Sequence, residues 1–268
     1  MRFIHAFILT LVATLLAGCM ASTTQGGALG VNRAQLMMVP AESMQEGANQ
    51  AYADVLAKAK KEGKLNTDAA QLAMLREIAT NLVAHVGVFR SDAPRWNWEV
   101  NLIEEDTLNA WCMPGGKIAF YTGIIEQLQL NEDEIAAIMG HEMAHALREH
   151  SRERASQDQL RQLGLVIAQE VTGVSGSVMQ LADIATYYTI SLPYSREHER
   201  ESDIIGVELA ARAGYDPSAA VRVWEKMAKA NPNNPPEFLS THPSPQSRIK
   251  ELSVAAKSVM PLYENAVK

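Results

Sequence analysis

Cysteine is almost absent from this chain. Among 268 residues only Cys19 and Cys112 carry thiols, so no disulfide framework holds the fold and no cysteine-rich structural metal site is available. A basic surplus is missing as well: 24 Lys and Arg face 31 Asp and Glu, for a net charge of -7. No basic stripe that could follow a phosphate backbone is present, which sets nucleic acid aside as a partner, and the acidity reads as a solubility feature. Long apolar runs are lacking beyond Phe3 to Ala17, interrupted by His5, Thr10 and Thr14. That run falls short of the ~20 residues of a comfortable membrane span and has the form of a signal-peptide core behind Arg2. No internal repeat is visible.

The run ends in Leu16-Ala17-Gly18-Cys19. This resembles the lipobox of bacterial lipoproteins, which implies removal of residues 1–18, lipidation of Cys19 and membrane attachment through acyl chains rather than a spanning helix. Met20, rather than Asp, follows the Cys. In the Gram-negative sorting pattern this implies the periplasmic side of the outer membrane. Residues 19–39, rich in Gly, Ser, Thr and Gln, read as a flexible tether, and residues 40–268 as the folded domain. With Cys19 lipidated, Cys112 has no partner and reads as a small buried residue.

Behind Pro40 the spacing of Met44, Ala48, Tyr52, Val55 and Leu56 predicts a helix that Gly63 stops. A second helix is predicted from Asp68 to Val86, with Thr67 as its N-cap. The period then falls to two: Trp96, Trp98, Val100 and Leu102 mark a strand, and two short strands flank the Pro114-Gly115-Gly116 turn. Helix resumes near Glu132, with Asn131 and Glu134 in the positions of a capping box. Residues 151–194 contain two apolar helical pieces around a Gly/Ser break. They read as a helix-turn-helix packed on the core, the alternative being a mobile, membrane-facing or lid hairpin. Helices are predicted over Arg196–Arg212, after Asp216-Pro217 with Val221, Trp224 and Met227 inward, and after Ser244-Pro245. Helices, then strands, then helices argue for an α+β fold.

The chemistry concentrates in His141-Glu142-Met143-Ala144-His145. Two His four apart on a helix share a face, so both imidazoles can bind one tetrahedral ion. Glu142 then stands where it can take a proton from metal-activated water. A catalytic zinc needs a third protein ligand. Downstream, Glu197, His198, Glu199, Glu201 and Asp203 crowd one helix, and spacing alone does not choose among them. Without a metal, the same segment is a solvated charged face held by local ion pairs.

These motifs, with Ser195-Arg196 and Glu199-x-x-Ser202-Asp203, resemble the gluzincin family that includes HtpX, the CaaX prenyl endopeptidases, and the periplasmic lipoprotein LoiP and its relative BepA. The resemblance covers roughly residues 70–255 and points to the soluble lipoprotein branch, with Ser202 in place of the family's Ala. It implies a zincin-like α+β domain, mainly helical, with a small antiparallel sheet beside the H-E-x-x-H helix. It implies one Zn2+ held by His141, His145 and Glu199, with Asp203 orienting a ligand His. Asn109-Ala110 and the following hairpin resemble the family's substrate-pairing edge strand, so Asn109 and Ala110 are read as substrate-binding. Ser240-Thr241-His242-Pro243 with Arg248 resembles a C-terminal motif. It implies an active-site role for His242, as a metal latch or an oxyanion stabiliser, and places Arg248 with the substrate-binding residues.

The expected activity is one-step hydrolysis of peptide bonds in unfolded or misfolded envelope proteins, with Glu142 as base and then acid. No Ser, Cys or Thr nucleophile enters this reading. The rival reading is a chaperone or assembly factor for outer-membrane proteins that binds in the same groove, and in either case the outer-membrane assembly machinery is a candidate partner. A structural-zinc lipoprotein is the third reading.

Overall fold

The computed structural model describes residues 19–187, 191–230 and 246–266; the apolar run Phe3–Ala17 and His242 lie outside them. Residues 19–39 are not a free tether. Strands β1 (Met20–Ala21) and β2 (Gln35–Leu36) pair antiparallel, and the chain between them lies along polar grooves of the domain. The amides of Ala28 and Leu29 donate to the Glu208 carboxylate at 2.8 to 3.2 Å, and Gln35 is fully buried. Small polar residues give this segment little apolar surface, but buried carboxylates give its amides and Arg33 fixed acceptors, and that chemistry holds it down.

Helix α1 (Ala41–Lys61) starts behind Pro40 and buries Ala48, Tyr52 and Ala59. Helix α2 (Ala69–Val83) buries Leu72, Leu75, Ile78 and Leu82. Its N-cap is Asp68, not Thr67: the carboxylate accepts from the Ala70 and Gln71 amides, each at 2.9 Å, closing donors that the first turn leaves open. Val86 falls in a separate 3-10 turn. Trp96 and Trp98 precede the strand they were expected to open. They stack on each other, and the Trp98 indole donates to the Ala93 carbonyl at 2.9 Å.

Strands β3 (Glu99–Ile103), β4 (Ala110–Met113) and β5 (Lys117–Tyr121) form one sheet in the order β3-β5-β4. β4 and β5 are an antiparallel hairpin across Gly115 and Gly116, whose φ of +81° and +83° only glycine adopts without strain. β3 runs parallel to β5, Val100 opposite Ile118. The sheet is therefore mixed, not antiparallel throughout, because the β4 hairpin returns β5 in the direction of β3. β4 is left as the edge.

After the short α3 (Thr122–Gln127), helix α4 (Glu132–Leu147) carries the H-E-x-x-H segment through the centre of the domain. Its capping box forms as the sequence predicted: Asn131 accepts from the Glu134 amide and Glu134 accepts from the Asn131 amide. From Glu134 to Leu147 only His145 is not fully buried. Helix α7 (Leu192–Arg212) lies along α4, α8 (Ala219–Ala230) buries Val223, Trp224 and Met227, and α9 (Gln246–Ala266) packs on α7 and α8. Val223 rather than Val221 takes the inward place on α8.

Helices α5 (His150–Thr172) and α6 (Gly176–Thr186) form the expected hairpin, but it does not pack on the core. Helix α6 buries no residue at all, and on α5 the buried positions, His150, Glu153 and Ser156, stop before the second turn is complete. The apolar residues that suggested core packing face outward.

Candidate metal centre

The site depends on how closely α4 and α7 approach. Gly140 and Gly206 meet where they cross: a Cβ on Gly206 would stand 2.7 Å from the His141 amide nitrogen. With no side chain at either position the backbones touch, and short side chains can bridge them. Glu199, Asp203 and Gly206 follow one another at helical spacing on the α7 face turned to α4.

Three donor atoms converge there. His141 Nε2 and His145 Nε2 are 3.1 Å apart, and the Glu199 carboxylate lies 3.5 Å from each. Donors around a tetrahedral zinc at ~2.1 Å stand ~3.4 Å from each other, so the triangle has the right size. The surrounding hydrogen bonds fix the proton positions. His141 Nδ1 lies 3.0 Å from Asp203 and donates to it. His150 Nε2 faces Glu201 at 3.0 Å, so His150 Nδ1 is left as an acceptor for His145 Nδ1 at 2.9 Å. In neutral rings that leaves a lone pair on both Nε2 atoms, each aimed at the other and at a carboxylate. Such a convergence is stable only around a cation or a shared proton. Without a metal, burial disfavours the His141 imidazolium, but Asp203 and Glu199 outweigh it and bring the pKa up to about 9. Burial pushes the His150 ring the other way, down to about 3, which keeps it neutral in this relay.

Arg248 is not a substrate-facing residue. It is buried behind the site, its guanidinium bonded to both Asp203 oxygens and 3.1 Å from Glu199, over the Trp224 ring at 3.8 Å. Burial alone would raise the Asp203 pKa, yet Arg248 and His141 hold it below the usual carboxylate range. Glu142 is buried beside the donors. Burial first, then the Glu199 charge, push its pKa up to about 8, opposed by His141, Arg248 and a backbone hydrogen bond from Cys112. That bond sets edge strand β4 against Glu142. The Cys112 thiol is raised well above its ordinary value by burial and by Glu142, so it is no thiolate nucleophile.

Asn109 sits at the head of β4 and accepts from the Ala110 amide through its side chain at 2.9 Å. Its carbonyl accepts from Tyr121 at 3.2 Å. In an antiparallel ladder this alternation gives Asn109, Trp111 and Met113 to β5 and turns the backbone groups of Ala110 and Cys112 to the open edge.

One layer out lie Arg148 and Glu153, which sequence reasoning missed, and His198 and Glu201, which it named only as ligand candidates. Arg148, Glu153, His198 and Glu201 are buried, not solvated. Glu201 binds Arg148 at 2.9 Å and Arg33 at 3.0 Å, and Glu153 binds Arg33 at 2.7 Å and His198 at 3.0 Å. His150, Glu153 and His198 are close enough together to suggest a second metal site. Its one carboxylate, Glu153, is already balanced by Arg33, and the neighbouring Glu201 by Arg148 and Arg33, so this is an ion-pair network, and it clamps residues 22–35 onto α5 and α7. The visible signal was that four of the seven His, His141, His145, His150 and His198, lie in or next to the two motif helices. Which of them are buried depends on the packing of α5 against α7.

Residues 69–256 match the model of peptidase family M48. The chain is 37% identical over 160 residues to the mitochondrial metalloendopeptidase OMA1 of Arabidopsis thaliana, covering 59% of this chain and 32% of that protein. It is 35% identical over 157 residues to the OMA1 of Schizosaccharomyces pombe, covering 58% and 45%. It is 28% identical over 171 residues to the β-barrel assembly-enhancing protease of Escherichia coli, covering 60% and 35%. The chain thus spans a third to under a half of the length of these relatives. A donor triangle of the right size, a buried acid beside it and a family match over more than half of the chain agree, and the chain belongs to peptidase family M48.

Proposed function

We propose that the metal is zinc, one ion held by His141, His145 and Glu199, and that the enzyme cuts unfolded or misfolded envelope proteins. The observation that carries this reading is the triangle of His141 Nε2, His145 Nε2 and the Glu199 carboxylate, 3.1 to 3.5 Å on a side. A zinc ion held by His141, His145 and Glu199 would supply Lewis-acid chemistry for a scissile carbonyl and for water. Glu142 is placed to take a proton from an attacking water and return it to the leaving amine. Asp203 holds the His141 ring in the ligating tautomer, and Arg248 keeps Asp203 ionised while pairing with Glu199 at 3.1 Å. Edge strand β4 offers the backbone of Ala110 and Cys112 to an extended substrate. A substrate strand there competes with Glu142 for the Cys112 amide and so releases the base as it docks.

The membrane context rests on Leu16 to Met20: acylation of Cys19 and residence on the periplasmic side of the outer membrane. The name of the Escherichia coli relative supports a link to outer-membrane assembly, whereas the OMA1 relatives are mitochondrial. Mass spectrometry of the Cys19 peptide tests the anchor.

For the activity, the full chain is assayed on casein with zinc quantified in the same sample, against Glu142→Gln. Zinc and cleavage in wild type, with zinc alone in the variant, support the reading. Zinc without cleavage in either moves the chaperone reading ahead, and no zinc in either overturns the centre.

A further inference from the structure

Seven of the ten exposed large apolar side chains among the described residues sit on the α5–α6 hairpin, and an eighth, Tyr187, directly follows it. On α5, Leu163, Val166, Ile167 and Val171 occupy one broad arc at helical spacing; on α6, Leu181 and Ile184 are exposed in the same way. Val171 is 79% exposed and Leu181 67%. From Gln162 to Ala182 the only charged residue is Glu170, and an ion pair between Arg161 and Asp183 marks the base of the hairpin. Apolar surface gathered this densely, with so little charge, marks an interaction site.

Where the chain enters the domain decides between occupants. The Met37 amide donates to the Cys19 carbonyl at 2.8 Å, and the amides of Met38 and Val39 donate to Ser156 of α5 at 3.0 and 3.1 Å. Cys19, where the apolar sequence Phe3–Ala17 ends, therefore lies beside the root of the hairpin. A lipid on Cys19, as proposed above, would be attached there. No helix among the described residues is long and apolar enough to cross a membrane. The 11 residues of α6 extend only ~16 Å, about half a hydrocarbon core.

We propose that the α5–α6 hairpin is a membrane-interface element that lies in the headgroup region of a lipid bilayer on its Leu, Val and Ile side chains. Glu170, within the α5 arc one turn from the tip, keeps insertion shallow. With no Lys or Arg between Gln162 and Ala182 and a net charge of -7, insertion is driven by apolar area and needs no anionic lipid. Together with the Cys19 attachment, it gives the domain a second point of contact, which fixes the orientation of the metal site to the membrane instead of leaving it on a swivel. This goes beyond the peptidase assignment and does not depend on it.

The test places an indole on each helix, Val171→Trp and Leu181→Trp, in the full chain reconstituted in phosphatidylcholine vesicles. Quenching is measured with bromine-labelled acyl chains and with aqueous iodide, against wild type. Thermal unfolding confirms that each variant folds, and casein cleavage in the same vesicles keeps the peptidase reading separate. The expected result is that most of the added emission is quenched by bromolipid and shielded from iodide, unchanged by salt. An indole open to iodide overturns the proposal. So does one shielded from both quenchers, because protein then covers the hairpin, either a second copy or the Phe3–Ala17 segment.

Discussion

The α4–α7 crossing and the α5–α6 hairpin, which lies between those two helices in the sequence, are built to opposite rules. At the crossing, charged and aromatic-ring side chains are buried and each bonded to another: Arg148 and Glu201 are fully buried yet paired. On the hairpin, apolar side chains face outward and almost nothing is buried. Residue type alone thus misleads in both places. Burial follows the elements that pack on a helix, and α4 and α7 have each other where α6 has only α5.

The largest expected effect comes from the acid at the crossing. Glu142→Gln lowers casein turnover on the order of 10³-fold while zinc content and melting temperature hold. Next, Glu201→Ala leaves Arg148, Arg33 and His150 facing an empty site. Denaturant unfolding should show a loss of about 3 to 5 kcal/mol, with release of residues 22–35 to protease as a second readout. Gly206→Val forces the α4 and α7 backbones apart at the His141 amide. We expect a loss of about 2 to 3 kcal/mol, together with weaker zinc binding, because the donor triangle opens.

The pH response sharpens the comparison, since the strongly shifted His141, Glu142, His150 and Glu201 lie in or around the crossing. In metal-free protein the folded state holds protons on Glu142 and His141, at about 8 and about 9, that the unfolded state gives up near their ordinary values. Their contribution is present at low pH and is lost as pH rises through those values. Glu201, held near 2 despite its burial by His150, Arg148 and Arg33, and the neutral His150 act in the other direction: their contribution is lost as pH falls. Metal-free stability therefore peaks near pH 5 to 7. Zinc, which displaces the His141 proton, binds more tightly as pH rises toward 9 and moves the stability peak upward. Melting curves at several pH values with and without zinc check both slopes. The smallest effect lies on the hairpin: Leu181→Ser shifts unfolding in water by no more than ~0.5 kcal/mol, whereas an equal exchange at the crossing would not be tolerated. A large loss there would mean that the hairpin packs on protein after all.

By itself the sequence determined what is local. Helical spacing put His141 and His145 on one face, the Asn131–Glu134 box set the start of α4, and Pro114-Gly115-Gly116 set the β4–β5 turn, because each depends on residues within a few positions. It could place Glu199 and Asp203 on one helix face but not beside α4; that needed the contact of Gly140 with Gly206. The same limit hid the parallel β3–β5 pairing, the burial of His198 and Glu201, the turning of Arg248 away from substrate and toward Asp203, and the docking of residues 19–39. It also let the apolar hairpin pass for core. Partners far apart in sequence meet only when the chain folds, and burial, ion pairing and tautomer depend on those partners rather than on neighbours along the chain. Tertiary structure therefore decided which of the candidate ligands stand round one point.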